Sequence, residues 1–154
     1  MKKTTVILIA LITICISLGV VFADDSDSKV SFADGKLTIL DIDFNIPDGY
    51  TQDDASTQNG VPANLTGSKD GKQYAAKFTT SDGKEIIVKV VSSDTMQFTS
   101  YTPEGDYTNK TIAGKEGFLQ TYAGDNTPYF TYIDDGKLIQ IWAPDEATIE
   151  SIIK

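Results

Sequence analysis

The sequence predicts an α+β fold: an antiparallel β-sheet of six or seven strands with a C-terminal amphipathic helix packed on one face. Three observations predict it. Asp-Gly-Lys recurs at Asp34, Asp70, Asp82 and Asp135, and Asp-Gly supplies two residues that tolerate the positive φ of tight hairpin turns. The runs beside these turns are rich in β-branched and aromatic residues. After Pro144 the apolar spacing changes from that of a strand to that of a helix.

The elements follow in order. Residues 36–39 and 42–46 form an early strand pair, with Ile42, Phe44 and Ile46 on one face and Asp41, Asp43 and Asn45 on the other. Residues 51–72 hold few large apolar side chains and read as a long mobile loop. Residues 73–80 and 85–91 flank Ser81-Asp82-Gly83-Lys84 as a hairpin. Residues 92–109 admit either a short helix, carried by Met96, Phe98 and Tyr101, or a covering loop. Residues 115–122 form the next strand, after Ala113-Gly114. A second hairpin joins residues 129–133 to 138–143 across Asp134-Asp135-Gly136-Lys137. Strands this close in sequence pair antiparallel. In residues 144–153, Pro144 suits the first helical position, Asp145 and Glu146 suit the N-terminal dipole, and Ile149, Ile152 and Ile153 share one face. A helix this short is marginal alone and must be held by packing.

The N-terminus reads as an address. Lys2 and Lys3 precede a run that is apolar from Val6 to Phe22 apart from Thr13, Cys15, Ser17 and Gly19, and Val21-Phe22-Ala23 presents small residues at the positions a signal peptidase reads. Residues 1–23 are therefore a signal peptide cut after Ala23, or an N-terminal membrane anchor spanning residues 4–22 with its start inside. Ile12-Thr13-Ile14 lacks the small residue a lipoprotein cysteine needs before it, so Cys15 reads as an apolar thiol. Residues 24–28 are an acidic linker and residues 29–154 one α+β domain. The chain is placed outside the cytoplasm, secreted or tethered.

Composition excludes more than it assigns. The net charge is −9, and it becomes −11 once Lys2 and Lys3 are removed, which repels nucleic acid and anionic headgroups. No cysteine follows Cys15, so the exported part has neither disulfides nor thiol chemistry. Histidine and arginine are absent. That removes Ser-His and Cys-His nucleophile pairs, histidine-ligated zinc and the bidentate anion clamp. A carboxylate pair or a Ser–Lys dyad is the remaining catalytic chemistry, and neither has a local signature here. No cofactor is expected.

Ile42-Asp43-Phe44-Asn45-Ile46-Pro47-Asp48-Gly49-Tyr50 is similar to the opening strand of PsbP-like domains, named for the photosystem extrinsic protein PsbP. There an apolar-x-Phe-x-apolar-Pro-x-Gly-aromatic run enters the sheet. The later order, TIAGKEGFLQTY, then YFTYIDDGKLIQIWAP, then a helix ending IESIIK, also resembles that superfamily. It resembles more closely small, uncharacterised exported proteins of methanogenic archaea with the same Thr-Ile-x-Gly-Lys-Glu-Gly-aromatic and Asp-Gly-Lys-Leu-Ile elements. The resemblance covers residues 42–154. It implies an antiparallel sheet flanked by helices and a mostly non-catalytic domain, and it carries no active site.

Candidate sites follow from the pattern. Asp41-x-Asp43-x-Asn45 begins like a calcium loop, but Ile46 and Gln52 stand where glycine and glutamate belong. A weaker cation site would draw on Asp41, Asp43, Asp134 and Asp135. Tyr122, Tyr129, Tyr132 and Trp142 cluster in the last three strands, either as a stacking platform or as core residues with a polar tip. Ile139 and Ile141 are the core-facing pair, which leaves Gln140 and Trp142 on the face expected to be wet. Ligand binding is therefore expected at Trp142, Gln140, Tyr122 and Tyr129. Asn64-Leu65-Thr66 and Asn109-Lys110-Thr111 are glycosylation acceptors in an exported chain. The leading functional expectation is a non-catalytic domain of the cell envelope that binds a wall polymer or another exported protein. The alternatives are a purely structural or accessory module and a small carboxylate-dependent hydrolase.

Overall fold

The computed structural model describes residues 28–63 and 70–154. The expected leader, most of the acidic linker and Asn64 lie outside those residues. Among the described residues, no helix is long and apolar enough to cross a membrane.

Eleven strands and one α-helix make up the described fold, against the six or seven strands expected. A three-stranded meander contains β1 (Val30–Ala33), β2 (Lys36–Ile39) and β3 (Ile42–Asn45). The larger sheet contains β4 (Thr51–Gln52), β5 (Gln58–Pro62), β6 (Gly71–Thr79), β7 (Glu85–Ser93), β8 (Thr108–Ile112), β9 (Lys115–Thr121), β10 (Pro128–Asp134) and β11 (Lys137–Trp142). Its strand order is β4-β6-β7-β11-β10-β9-β8, with β5 also on β6. All pairings in both sheets are antiparallel. Helix α1 (Glu146–Ile153) closes the chain.

The turns explain most of this topology. Asp34-Gly35 and Asp135-Gly136 have both central φ angles positive, at 52° and 76° and at 48° and 67°, the two-residue hairpin turn whose twist matches that of the strands. Ala113-Gly114 makes the same turn between β8 and β9, at 49° and 78°. Leu40-Asp41 does so without glycine, at 51° and 67°, and Leu40 is held there by donating its backbone N–H to the Lys29 carbonyl at 3.0 Å. Asp70 is different: it precedes β6 and makes no tight turn.

Residues 51–72 are not one long loop. β4, a 3-10 turn at Asp54–Ser56 and β5 pair this stretch to β6. Residues 94–107 carry no helix and run as a covering segment. The helix starts later than expected because Asp145 is its N-cap, accepting from the Thr148 backbone N–H at 2.7 Å; Pro144 lies just outside it.

Directly paired residues of neighbouring strands share a face, so the register sorts the large sheet into two. The first face carries Ala76, Val88, Ile141 and Phe130 in one row and Tyr74, Val90, Ile139 and Tyr132 in the next. All are buried. The meander closes part of this face through Leu37, Ile39 and Phe44, with the rings of Phe32 and Phe78 4.8 Å apart. Helix α1 closes the rest, packing against β3, β8 and β10 with Ile149 and Ile152 fully buried. One continuous apolar core joins both sheets and the helix.

Candidate binding cleft

The second face of the large sheet is unusual in its polarity. All six buried polar side chains among the described residues lie on it: Gln58, Gln73, Lys89, Gln120, Thr131 and Gln140. Four belong to a single row across the sheet, Gln58–Ala75–Lys89–Gln140–Thr131–Phe118–Asn109. A buried polar group is costly unless it is hydrogen-bonded. Gln73 donates to the Gln58 side-chain oxygen, Gln140 Nε2 donates to Thr131 Oγ1 at 3.3 Å, and Gln120 Nε2 donates to the Glu104 carbonyl at 3.0 Å.

Lys89 stands apart. It is 1% exposed, and no carboxylate of the described residues forms an ion pair with it. Its ammonium lies 4.9 Å from the centre of the Trp142 ring, which offers the negative face of a π-system in place of a counter-ion. Burial depresses its pKa to about 7, because the charged form is the one that loses hydration.

The covering segment is fastened over β9 and β10. The Phe98 backbone N–H donates to the Gly136 carbonyl at 2.9 Å. The rings of Tyr101 and Tyr107 meet Phe118 edge-on, with centroids 6.1 and 5.3 Å away. Between residues 99–101 of this segment and strands β8 to β10 an open cleft of about 900 Å³ remains. Asn109, Thr111, Glu116, Phe118, Thr131 and Ile133 line it from the strands, and Thr99, Ser100 and Tyr101 from the cover. Lys110 and Lys115 sit at its rim, neutralised by Glu146 at 2.5 Å and Asp134 at 2.7 Å. These half-exposed pairs contribute little to stability but cancel the two lysine charges at the cleft, leaving the Glu116 carboxylate in its lining. Its lining is amide, hydroxyl and aromatic, suited to hydroxyl-rich or peptide ligands.

Gly117 stands in β9 between the cleft residues Glu116 and Phe118. A Cβ there would collide with the Thr131 carbonyl oxygen and come within 2.8 Å of the Phe130 ring and 2.9 Å of Tyr132 Cβ. The missing side chain lies on the core face, with Phe130 and Tyr132, and lets β9 lie close against β10 there.

The residues expected to form a site fare unevenly. Trp142, Gln140 and Tyr129 share the second face as expected, and the Trp142 and Tyr129 rings stack at 5.3 Å. They are not wet: Trp142 is 8%, Tyr129 8% and Gln140 4% exposed. Alternation places these side chains on a face, but it is silent on what else covers that face. Their burial predicts a blue-shifted tryptophan emission, and it removes the exposed platform. Tyr122 is half-buried beyond the end of β9, its ring packed against Gly124.

The acidic quartet does not assemble either. Asp43 accepts from Thr38 Oγ1 at 2.7 Å and pairs with Lys36 at 3.2 Å, and these contacts, the hydroxyl first, hold its carboxyl below the usual range. Asp134 pairs with Lys115, and Asp135 with Lys137 at 2.5 Å. Among the described residues no group of three or more acidic side chains gathers as a metal site. Asn109 is exposed on edge strand β8. Sequence reasoning did not single out Phe118, Tyr101, Thr131 or Lys89. Phe118 carried a signal: it alternates with Gln120 in β9 and therefore faces the same side as Gln140.

In comparisons with known proteins, no family model, curated protein or solved structure matches this chain.

Proposed function

We propose that this chain is a non-catalytic extracytoplasmic domain of the cell envelope that holds a neutral, hydroxyl-rich wall polymer in the cleft above β8 to β10. The observation that carries this reading is the cleft itself. Its volume of about 900 Å³ lies within the range of ordinary ligand sites, and aromatic and hydrogen-bonding groups alternate along its floor. The paired lysines at the rim and the net charge of −9 favour uncharged ligands over anionic ones. Glycoside hydrolysis requires two carboxyl groups facing one bond, and Glu116 is the acidic residue lining the cleft, which supports binding over turnover. Export rests on the two lysines, the apolar run and Val21-Phe22-Ala23. The PsbP-like kinship belongs to the same reading, supported by the residue 42–50 run that enters the small sheet as β3.

The test is retention of purified envelope polymer fragments by the protein and by Phe118→Ala, with folding verified by circular dichroism. Loss of retention at least tenfold in the variant supports the reading. Equal retention by both proteins, or none by either, refutes it.

A further inference from the structure

We propose that Asn109 carries an N-linked glycan whose first sugar packs on the Phe118 ring inside the cleft. This inference rests on the reading that the chain is exported. Three observations place the glycan there. Asn109-Lys110-Thr111 satisfies the acceptor pattern, which marks surface positions in exported chains. Strand β8 is the edge of the large sheet, pairing with β9 alone, and Thr108, Asn109, Lys110 and Thr111 are all exposed along it. An acceptor amide and its hydroxyl two residues on lie on the same side of a strand, and here both line the open cleft. The third observation is the partner across the ladder. Asn109 is paired directly with Phe118, and cross-strand Cβ atoms stand about 5 Å apart. A sugar on the Asn109 amide therefore starts beside the Phe118 ring, which the Tyr101 and Tyr107 rings meet edge-on.

The chemical step is a glycosyl transfer from a lipid-linked oligosaccharide. Asn109 Nδ2 attacks the anomeric carbon, a C–N bond forms as the C–O bond to the lipid phosphate breaks, the amide gives up one proton, and the lipid phosphate leaves. The glycan has two consequences. It covers the outer edge of β8, which otherwise presents unpaired backbone to other strands. It also occupies the cleft, so the glycan and a free polymer compete for the same floor.

The experiment is intact-mass and peptide mapping of the protein purified from its native envelope, beside Asn109→Gln, Thr111→Ala and Thr111→Ser expressed in the same host. The expected result is a mass above that of the polypeptide, located on the Asn109 peptide, absent from Asn109→Gln and Thr111→Ala and retained in Thr111→Ser. Unmodified Asn109 in the native protein overturns the proposal. The cell fraction from which the protein is recovered shows separately whether the export reading fails with it. Polymer retention by Asn109→Gln gives a second readout: retention increased over the glycosylated protein supports a glycan seated in the cleft, and unchanged retention overturns that seating.

Discussion

Lys89→Met should make the protein more stable, and by an amount that depends on pH. A buried lysine with a pKa of about 7 is charged above pH 7 far more readily in the unfolded chain, where the value is about 10.4. The unfolded state therefore binds more protons between these two values. Stability must rise with pH across that window, by about 1.4 kcal/mol per unit where the difference is one full proton. Because Lys89 is half protonated in the folded state at pH 7, the gain from pH 7 to 9 works out at about 2 kcal/mol. Below pH 7 both states are charged at this residue and its cost is constant at its maximum.

At pH 7 that cost is about 4 kcal/mol. Methionine fills a similar volume without a charge. The variant should gain about 4 kcal/mol at pH 7 and about 2 kcal/mol at pH 9, where folded Lys89 is already neutral. Urea unfolding at both pH values, followed by circular dichroism, measures this. The range stops at pH 9 because burial raises the pKa of the Tyr129 and Tyr132 phenols. Those groups contribute stability that is lost above their unfolded value of about 10. If Lys89→Met is destabilised, or if its stability changes with pH as the parent's does, the reasoning about an uncompensated buried amine is wrong.

Three further outcomes follow from the packing. Ile149→Asp or Ile152→Asp should abolish the cooperative thermal transition, since each places an unpaired carboxylate where the parent side chain is fully buried; an unchanged transition would mean that α1 is not docked. Gly117→Ala should cost about 2 kcal/mol or more in urea unfolding, because the collision is with backbone and core ring atoms rather than a flexible tip. Asp145→Ala should cost about 1 kcal/mol by the same measurement, through loss of the cap on Thr148.

Much of the first face was legible because its period is regular. Phe44 and Ile46, Ile139 and Ile141, and Ile149 and Ile152 are buried where alternation or helical spacing put them. The two long hairpins were legible from Asp82-Gly83 and Asp135-Gly136. The short strands were not. β5 contains glycine and proline among polar residues, and β8 is Thr-Asn-Lys-Thr-Ile with four exposed positions. Neither has an apolar pattern, because β5 is an edge addition to β6 and β8 is the free edge of the sheet. The second face misled for a different reason. Gln140 looked wet because it is polar, yet it is buried beside Thr131 and Lys89 in a row assembled from seven strands. A polar residue in one strand does not reveal that its neighbours across the sheet are polar too. The cleft depends on where residues 94–107 settle, and that is decided by contacts of Tyr101, Tyr107 and Phe98 with residues distant in sequence.

Amide chemical-shift mapping during titration with envelope polymer fragments tests the central claim most directly. Perturbations should concentrate at residues 99–101, 109–111 and 116–118 and at Thr131, and they should disappear in Phe118→Ala. Shifts centred instead on the β1–β3 meander or on helix α1, or no shifts at saturating polymer, would contradict the assignment of the cleft as the binding site.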